Sequence, residues 1–158
     1  MTTAQTLIRR LKLLPHPEGG FYREIHRSRE TVATDRGPRS AVTAIYFLLM
    51  QGQRSLFHRV SSDEVWNFYS GDPLRLLRLS PTLKTKEVLT LGPPGGRRVP
   101  VGIIPAGHWQ AAEPMGEYAL VGCSVGPGFD FADFLLMRDD GKGAAKLRRL
   151  HPDLERFV

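Results

Sequence analysis

From residue 41 to residue 137 the chain is a succession of short apolar-rich runs, each ended by turn residues, and this punctuation constrains the fold more than any other feature. The runs span 41–50, 55–60, 64–70, 74–79, 86–91, 99–105, 109–112, 118–125 and 131–137. Between them stand Gln51-Gly52-Gln53, Gly71-Asp72-Pro73, Ser80-Pro81, the glycines and prolines from Gly92 to Gly96, Pro105-Ala106-Gly107 and Gly126-Pro127-Gly128. Glycine supplies positive φ and proline presets a turn while removing a ladder donor, so each cluster ends a strand. Many short strands at such spacing predict an all-β sandwich or barrel. Upstream, from Gly20, the period is two: Phe21, Arg23 and Ile25 face one way, and Tyr22, Glu24 and His26 the other. Both ends read as helical. Leu7, Ile8, Leu11 and Leu14 share a helical face behind an N-cap at Thr2 or Thr3, stopped by Pro15 and Pro17, and a short basic helix over 144–150 closes the chain. Residues 29–40 read as a polar loop.

Composition narrows the setting. At 158 residues, 41% apolar and 24% charged, residues 1–158 are expected to form one domain. The single cysteine, Cys123, excludes an internal disulfide and any cysteine-based zinc site. The ten-residue run 41–50 falls far short of the ~20 residues a bilayer span needs. With no visible signal peptide, the expected location is cytoplasmic, with no membrane partner. A net charge of +6 gathers at Arg9-Arg10-Lys12, Arg23-Arg27-Arg29 and Lys142-Lys146-Arg148-Arg149. No DNA- or RNA-binding motif accompanies it, so no nucleic-acid partner is expected; the charge reads as a solvated face or an attraction for a small anion.

The chemistry-bearing stretch runs from Gly52 to Gly71. His58, a tight polar turn and Glu64 on the next strand form a hairpin whose side chains converge, and Glu64, Trp66 and Phe68 share one strand face. The spacing resembles the first motif of the cupin superfamily: Gly, five residues, His-x-His, three residues, Glu, six residues, Gly. Val60 stands where the second histidine would be. Pro105-Ala106-Gly107-His108-Trp109-Gln110 resembles the second motif, with Gln110 in place of its histidine. Together with His16-Pro-Glu-Gly-Gly-Phe-Tyr-Arg-Glu24, Asp63-Glu-Val-Trp66 and Val125-Gly-Pro-Gly-Phe-Asp-Phe-Ala-Asp-Phe134, these segments are similar to one small single-domain cupin family, described as sugar-epimerase-like.

That resemblance implies a jelly-roll barrel, a double-stranded β-helix with a short helix at each end, and a homodimer. It also implies a metal site of three histidines and a glutamate, of which this chain keeps His58 and Glu64, with Gln110 a weak neutral donor. The expectation is therefore no cofactor, with a loosely held divalent metal on His58, Glu64 and Gln110 as the weaker alternative. Without metal, the histidine–glutamate pair suits proton abstraction beside a carbonyl, as in cupin epimerases of nucleotide-linked keto-sugars, which set a histidine base opposite a tyrosine acid. Tyr22 and Tyr46 are the candidates for that acid, and Tyr69 is set aside as facing away from Glu64. Arg23 and Glu24 are candidates for binding a phosphate or carboxylate, or for an interface salt bridge. Trp66, Phe68, Trp109 and Gln110 are candidate substrate contacts, the aromatics by stacking on a sugar or base. Glu18 reads as shaping a turn, and Cys123 as a buried small hydrophobe.

Three functions follow as expectations. The first is an isomerase or epimerase acting on a small anionic carbohydrate derivative, such as a sugar nucleotide, by histidine-based proton abstraction without metal. The second is a metal-dependent dioxygenase or isomerase, and the third a non-catalytic small-molecule binding or regulatory protein.

Overall fold

The computed structural model describes residues 1–158. Helix α1 (Thr3–Leu11) leads into β1 (Leu14–Pro15), β2 (Phe21–Arg27) and a small hairpin, β3 (Thr31–Val32) with β4 (Arg39–Ser40). The central strands are β5 (Thr43–Met50), β6 (Ser55–Arg59), β7 (Asp63–Gly71), β8 (Leu74–Leu79) and β9 (Lys86–Leu91). They are followed by β10 (Arg98–Val99), β11 (Val101–Ile104), β12 (Trp109–Pro114), β13 (Tyr118–Gly126) and β14 (Leu135–Leu136). Helix α2 (Gly141–Leu150) and a 3₁₀ turn (Pro152–Phe157) end the chain.

Two six-stranded sheets form, ordered β1-β2-β5-β13-β7-β11 and β10-β9-β8-β12-β6-β14, which is the expected jelly-roll. Alternation along the strands gives each sheet an inner and an outer face. Phe47, Leu49, Trp66, Leu76, Ala112 and Val121 pack between the sheets in one buried cluster. Helix α1 covers part of the outer face of the first sheet over Leu48 and Leu120. Helix α2 and the C-terminal turn cover the outer face of the second, where Leu147, Leu154 and Phe157 meet Phe57, Leu79 and Trp109. No helix is long and apolar enough to cross a membrane.

Four local differences from the sequence pattern matter for the site. Helix α1 ends at Leu11 because Lys12 adopts a left-handed conformation (φ 54°), so Leu14 belongs to β1 and is 67% exposed instead of sitting on the helix face. The loop expected over 29–40 contains the β3–β4 hairpin. Residues 131–137 are not one strand: Asp130 caps a 3₁₀ turn through Ala132 N–H (2.8 Å), and only Leu135 and Leu136 pair with β6. Finally, β2 carries a bulge between Glu24 and His26. Tyr22 and Glu24 oppose the inward Phe47 and Ile45, but after the bulge Arg27 opposes Thr43 while His26 pairs with Ala44. The extra residue thus turns Arg27 inward beside Glu24 and His26 outward, the reverse of strict alternation.

Candidate functional site

The two sheets part at one end around a cavity of about 410 Å³, within the range of small-molecule sites. Inner-face side chains of β2, β5, β6, β7 and β13 supply Tyr22, Glu24, Ile45, His58, Glu64 and Cys123. Two loops complete it. Residues 16–20 bring His16 and Glu18, and residues 127–134 bring Phe129, Asp130, Phe131 and Phe134.

His58 sits at the floor with both ring nitrogens engaged. Nδ1–H donates to the Leu56 carbonyl (2.8 Å), and Nε2–H faces Glu18 Oε2 at 2.9 Å. Burial alone would lower its pKa. The Glu18 charge and hydrogen bond, with help from Glu64 and the Leu56 carbonyl, outweigh burial and raise it to about 9. His58 is thus an imidazolium at neutral pH. Burial raises Glu18, but His58, His16 and the Ser55 hydroxyl (2.8 Å to Oε1) overcome it and hold the carboxyl below its ordinary range. His16 accepts from the Glu18 N–H at Nδ1 (3.1 Å), which leaves its ring proton on Nε2. Burial keeps His16 neutral by lowering its pKa, against the opposing pull of Glu18.

Glu18 reaches this position because its loop is tied to β6. Its carbonyl accepts from Leu56 N–H (2.8 Å). Gly19 follows at φ 105°, so close to the neighbouring backbone that a Cβ there would lie 2.1 Å from the Arg54 carbonyl oxygen.

Glu64, across the floor, has different surroundings. Its Oε2 accepts from Gln110 Nε2 (2.6 Å), and Gln110 Oε1 accepts from Trp66 Nε1–H (2.8 Å), which fixes the orientation of the amide. The Cys123 thiol lies against it as a donor, and that thiol is itself pushed well above its ordinary pKa by burial and by Glu64. Burial, with the Glu18 charge adding and His58 opposing, raises Glu64 to about 7. One buried carboxyl is therefore ionised and the other stands near its midpoint.

At the mouth, Arg27 forks onto Glu24 through Nε (3.0 Å) and Nη2 (2.8 Å) and donates from Nη1 to the Phe129 carbonyl (3.1 Å). Phe129, Phe131 and Phe134 meet edge to face, and Phe134 lies 5.4 Å from the His58 ring. Their loop is anchored by Phe129 N–H on Thr43 Oγ1 (2.9 Å) and by the Arg39 fork onto Asp133 (2.9 Å at both contacts).

The family model described as the cupin superfamily (DUF985) matches residues 5–137. The chain belongs to the cupin superfamily. Among solved structures it is similar to a hypothetical protein from Leishmania major, at 32% identity and a TM-score of 0.85, with 99% of this chain and 97% of that one covered. A protein from Shewanella oneidensis is similar at 33% identity and TM-score 0.84, over 100% and 96% of the two chains. Oxalate decarboxylase from Bacillus subtilis shares the fold at 14% identity and TM-score 0.62, over 85% of this chain and 33% of that one. No curated protein matches.

Of the residues singled out in the sequence, this cupin brings His58, Glu64, Tyr22 and Glu24 to one cavity. Tyr46 is not among them: it lies on the outer face of β5, under α1 and 6.1 Å from the Tyr69 ring, because it alternates with the inward Ile45 and Phe47. Arg23 borders the cavity but opposes Tyr46 on that outer face, and its guanidinium donates to the Leu11 carbonyl (3.2 Å). Trp66 and Phe68 face inward yet pack in the apolar cluster beneath the cavity. Trp109 is buried on the far side of the second sheet, with the Arg59 guanidinium 4.8 Å over its ring. Gln110 is buried behind Glu64 and acts on it instead of on a ligand. Glu18 does not merely shape a turn, and Arg27, Phe129, Asp130, Phe131 and Phe134 are cavity residues outside the candidate set, although Arg27 stands in a basic cluster and the other four in the 125–134 segment.

The residues present do not fit the three-histidine, one-glutamate metal set. Val60 lines the cavity at the second histidine's position with a side chain that cannot ligate. His58 has no free nitrogen, and Gln110 has both amide atoms committed. No three or more His, Cys, Asp or Glu side chains converge to hold an ion.

Proposed function

We propose that this cupin is a metal-independent isomerase or epimerase of a small carbohydrate derivative, in which Glu64 moves the proton. The observation that carries this reading is a buried carboxyl with one oxygen fixed by Gln110, lining a cavity open at one end opposite the His58–Glu18 ion pair. A carboxyl with a pKa of about 7 takes and returns a proton near neutrality with little driving force lost in either direction. His58 is less suited to the base role, since both its nitrogens already hold donated protons. It supplies instead a fixed positive charge that favours a developing enolate.

In this reading Glu64 takes the proton beside a substrate carbonyl, leaving an enolate. The Tyr22 hydroxyl, on β2 and separated from Glu64 by β5 and β13, then donates a proton, so the C–H bond broken on one face is remade on the other or at the adjacent carbon. Solvent carries the proton held by Glu64 back to the tyrosinate and restores both groups. The test is to incubate the protein with keto- and aldo-sugars in deuterated water and follow carbon-bound deuterium by mass spectrometry. Exchange that is lost in Glu64→Gln, with ligand binding retained, is the expected result. A sugar that binds without exchanging in the native protein favours the non-catalytic binding role, and exchange that requires added divalent metal favours the metal-dependent one.

The same reading makes the protein a homodimer. Its support is the exposed apolar outer face of β7 and β11, where Tyr69, Val101 and Ile103 stand 50%, 43% and 52% exposed. Light scattering that gives a monomer at micromolar concentration overturns it.

A further inference from the structure

We infer that the occupant of this cavity carries an amino group, protonated in solution, and that carboxylates and phosphates are disfavoured. The inference rests on the preceding reading in taking the cavity as the substrate site. It comes from how the charges on the walls are already paired, and it departs from what the +6 balance of the chain suggests.

Each level of the cavity sets two carboxyl groups against one cationic side chain. At the floor these are Glu18 and Glu64 with His58, and at the mouth Glu24 and Asp130 with Arg27. Both cations are engaged by the protein. His58 is held by Glu18 and the Leu56 carbonyl, while Arg27 spends Nε, Nη1 and Nη2 on Glu24 and the Phe129 carbonyl. Arg23, the remaining basic residue at the border, directs its guanidinium to the Leu11 carbonyl on the outer face. Arg27 keeps one unspent N–H on each Nη, but its charge, like that of His58, is already matched by a protein carboxylate, so an incoming anion meets no uncompensated cation in the cavity.

The acidic side is left over. Asp130 spends Oδ1 on the Ala132 N–H and has no ion-pair partner. Glu64 spends Oε2 on the Gln110 amide and likewise has none, although its side chain is buried in the floor. Tyr22, Phe129, Phe131 and Phe134 line the same cavity, with Phe131 at its exposed rim. Aromatic rings attract cations through their quadrupoles, most strongly where water is excluded. A small molecule with an ammonium group thus finds charge and ring partners that a carboxylate does not.

The experiment uses the full-length protein and two matched series read by thermal shift and calorimetry. One is glucosamine, glucose and glucuronate; the other is phenethylamine, phenylethanol and phenylacetate. The expected result is that the amine of at least one series binds more tightly than its carboxylate by about tenfold or more. Asp130→Asn, at an exposed cap that asparagine also satisfies, should narrow that ratio. A carboxylate that binds as tightly as its amine overturns the inference, and so does the absence of binding by every amine. A neutral member that binds best and exchanges deuterium overturns this inference while leaving the acid–base reading intact. An amine that binds best without any exchange supports the inference and counts against that reading instead.

Discussion

The two buried glutamates of the floor share one cavity and differ in everything that sets their charge. Glu18 has an imidazolium at 2.9 Å, a serine hydroxyl at 2.8 Å and a second histidine nearby, so it stays ionised in spite of burial. Glu64 has only a neutral amide and a thiol as hydrogen-bond partners, and the charges of His58 and Glu18 act on it in opposite senses, so burial wins and its pKa rises to about 7. Burial alone thus does not decide whether a carboxyl is a structural ion or a titrating group; the identity of the first donor does. The pair divides labour as well. One carboxylate is spent on fixing a histidine, and the other remains available to chemistry.

The largest test of this contrast removes the cation. His58→Ala leaves Glu18 as a buried charge without its partner and should cost about 3–5 kcal/mol in urea denaturation. Glu18→Gln should cost less, because His58 can then shed its proton, and equal losses in the two variants would break the comparison.

The next effect is in pH. Glu64 has a folded pKa of about 7 against an ordinary value of 4.5, so its contribution is complete below 4.5 and falls away as pH rises through 7. The size is roughly 3 kcal/mol, and Glu64→Gln should flatten that slope. His58, at about 9 against 6.5, contributes fully below 6.5 and loses a similar amount as pH rises through 9. Glu18 behaves oppositely: its contribution is present above 4.5 and lost as pH falls through its depressed folded pKa. Denaturation curves taken from pH 3 to 9.5 on the native protein and on His58→Ala, Glu18→Gln and Glu64→Gln separate the three.

A smaller loss follows from the support of Glu64. Trp66→Phe leaves Gln110 Oε1 buried without its donor and should cost about 1–3 kcal/mol, measured in the same way. The smallest expected effect is that of Val60→His on metal content. The new imidazole joins a histidine with no free nitrogen, so elemental analysis should show no gain in bound zinc or nickel over the native protein. A stoichiometric gain would show that the His58–Glu18 pair opens readily and would weaken its description as fixed.

The strands of the jelly-roll were readable because each carries its own turn signals, and runs 74–79 and 86–91 coincide with β8 and β9. The two strands that deliver His58 and Glu64 were readable for the same reason, since strand spacing is local information, but the hairpin expected of them does not form. β6 and β7 belong to different sheets, so the turn at residues 60–62 crosses from one sheet to the other and the two side chains meet across the interior. Trp66 and Phe68 show the limit of that information. Alternation places them inward but does not say at what depth the interior stops being packed and becomes a cavity. Glu18 was not legible because its role depends on a loop bonding to Leu56, far away in sequence, and nothing in Pro17-Glu18-Gly19-Gly20 distinguishes this from an ordinary turn. Tyr46 was a candidate only as a tyrosine in mid-strand and Trp109 as an aromatic within a motif, and strand parity sends both to outer faces.

The bulge in β2 has a bearing on comparing this chain with its relatives. Two proteins can carry the same residues in the same order along this strand and still present different walls, if one of them accommodates the extra residue and the other continues flat. In the flat form a histidine, His26, would replace the guanidinium of Arg27 at the mouth, and the carboxylate of Glu24 would lose its partner. Matching columns of an alignment through this strand therefore do not guarantee matching cavities, and a relative's ligand preference transfers only where the irregularity itself is shared.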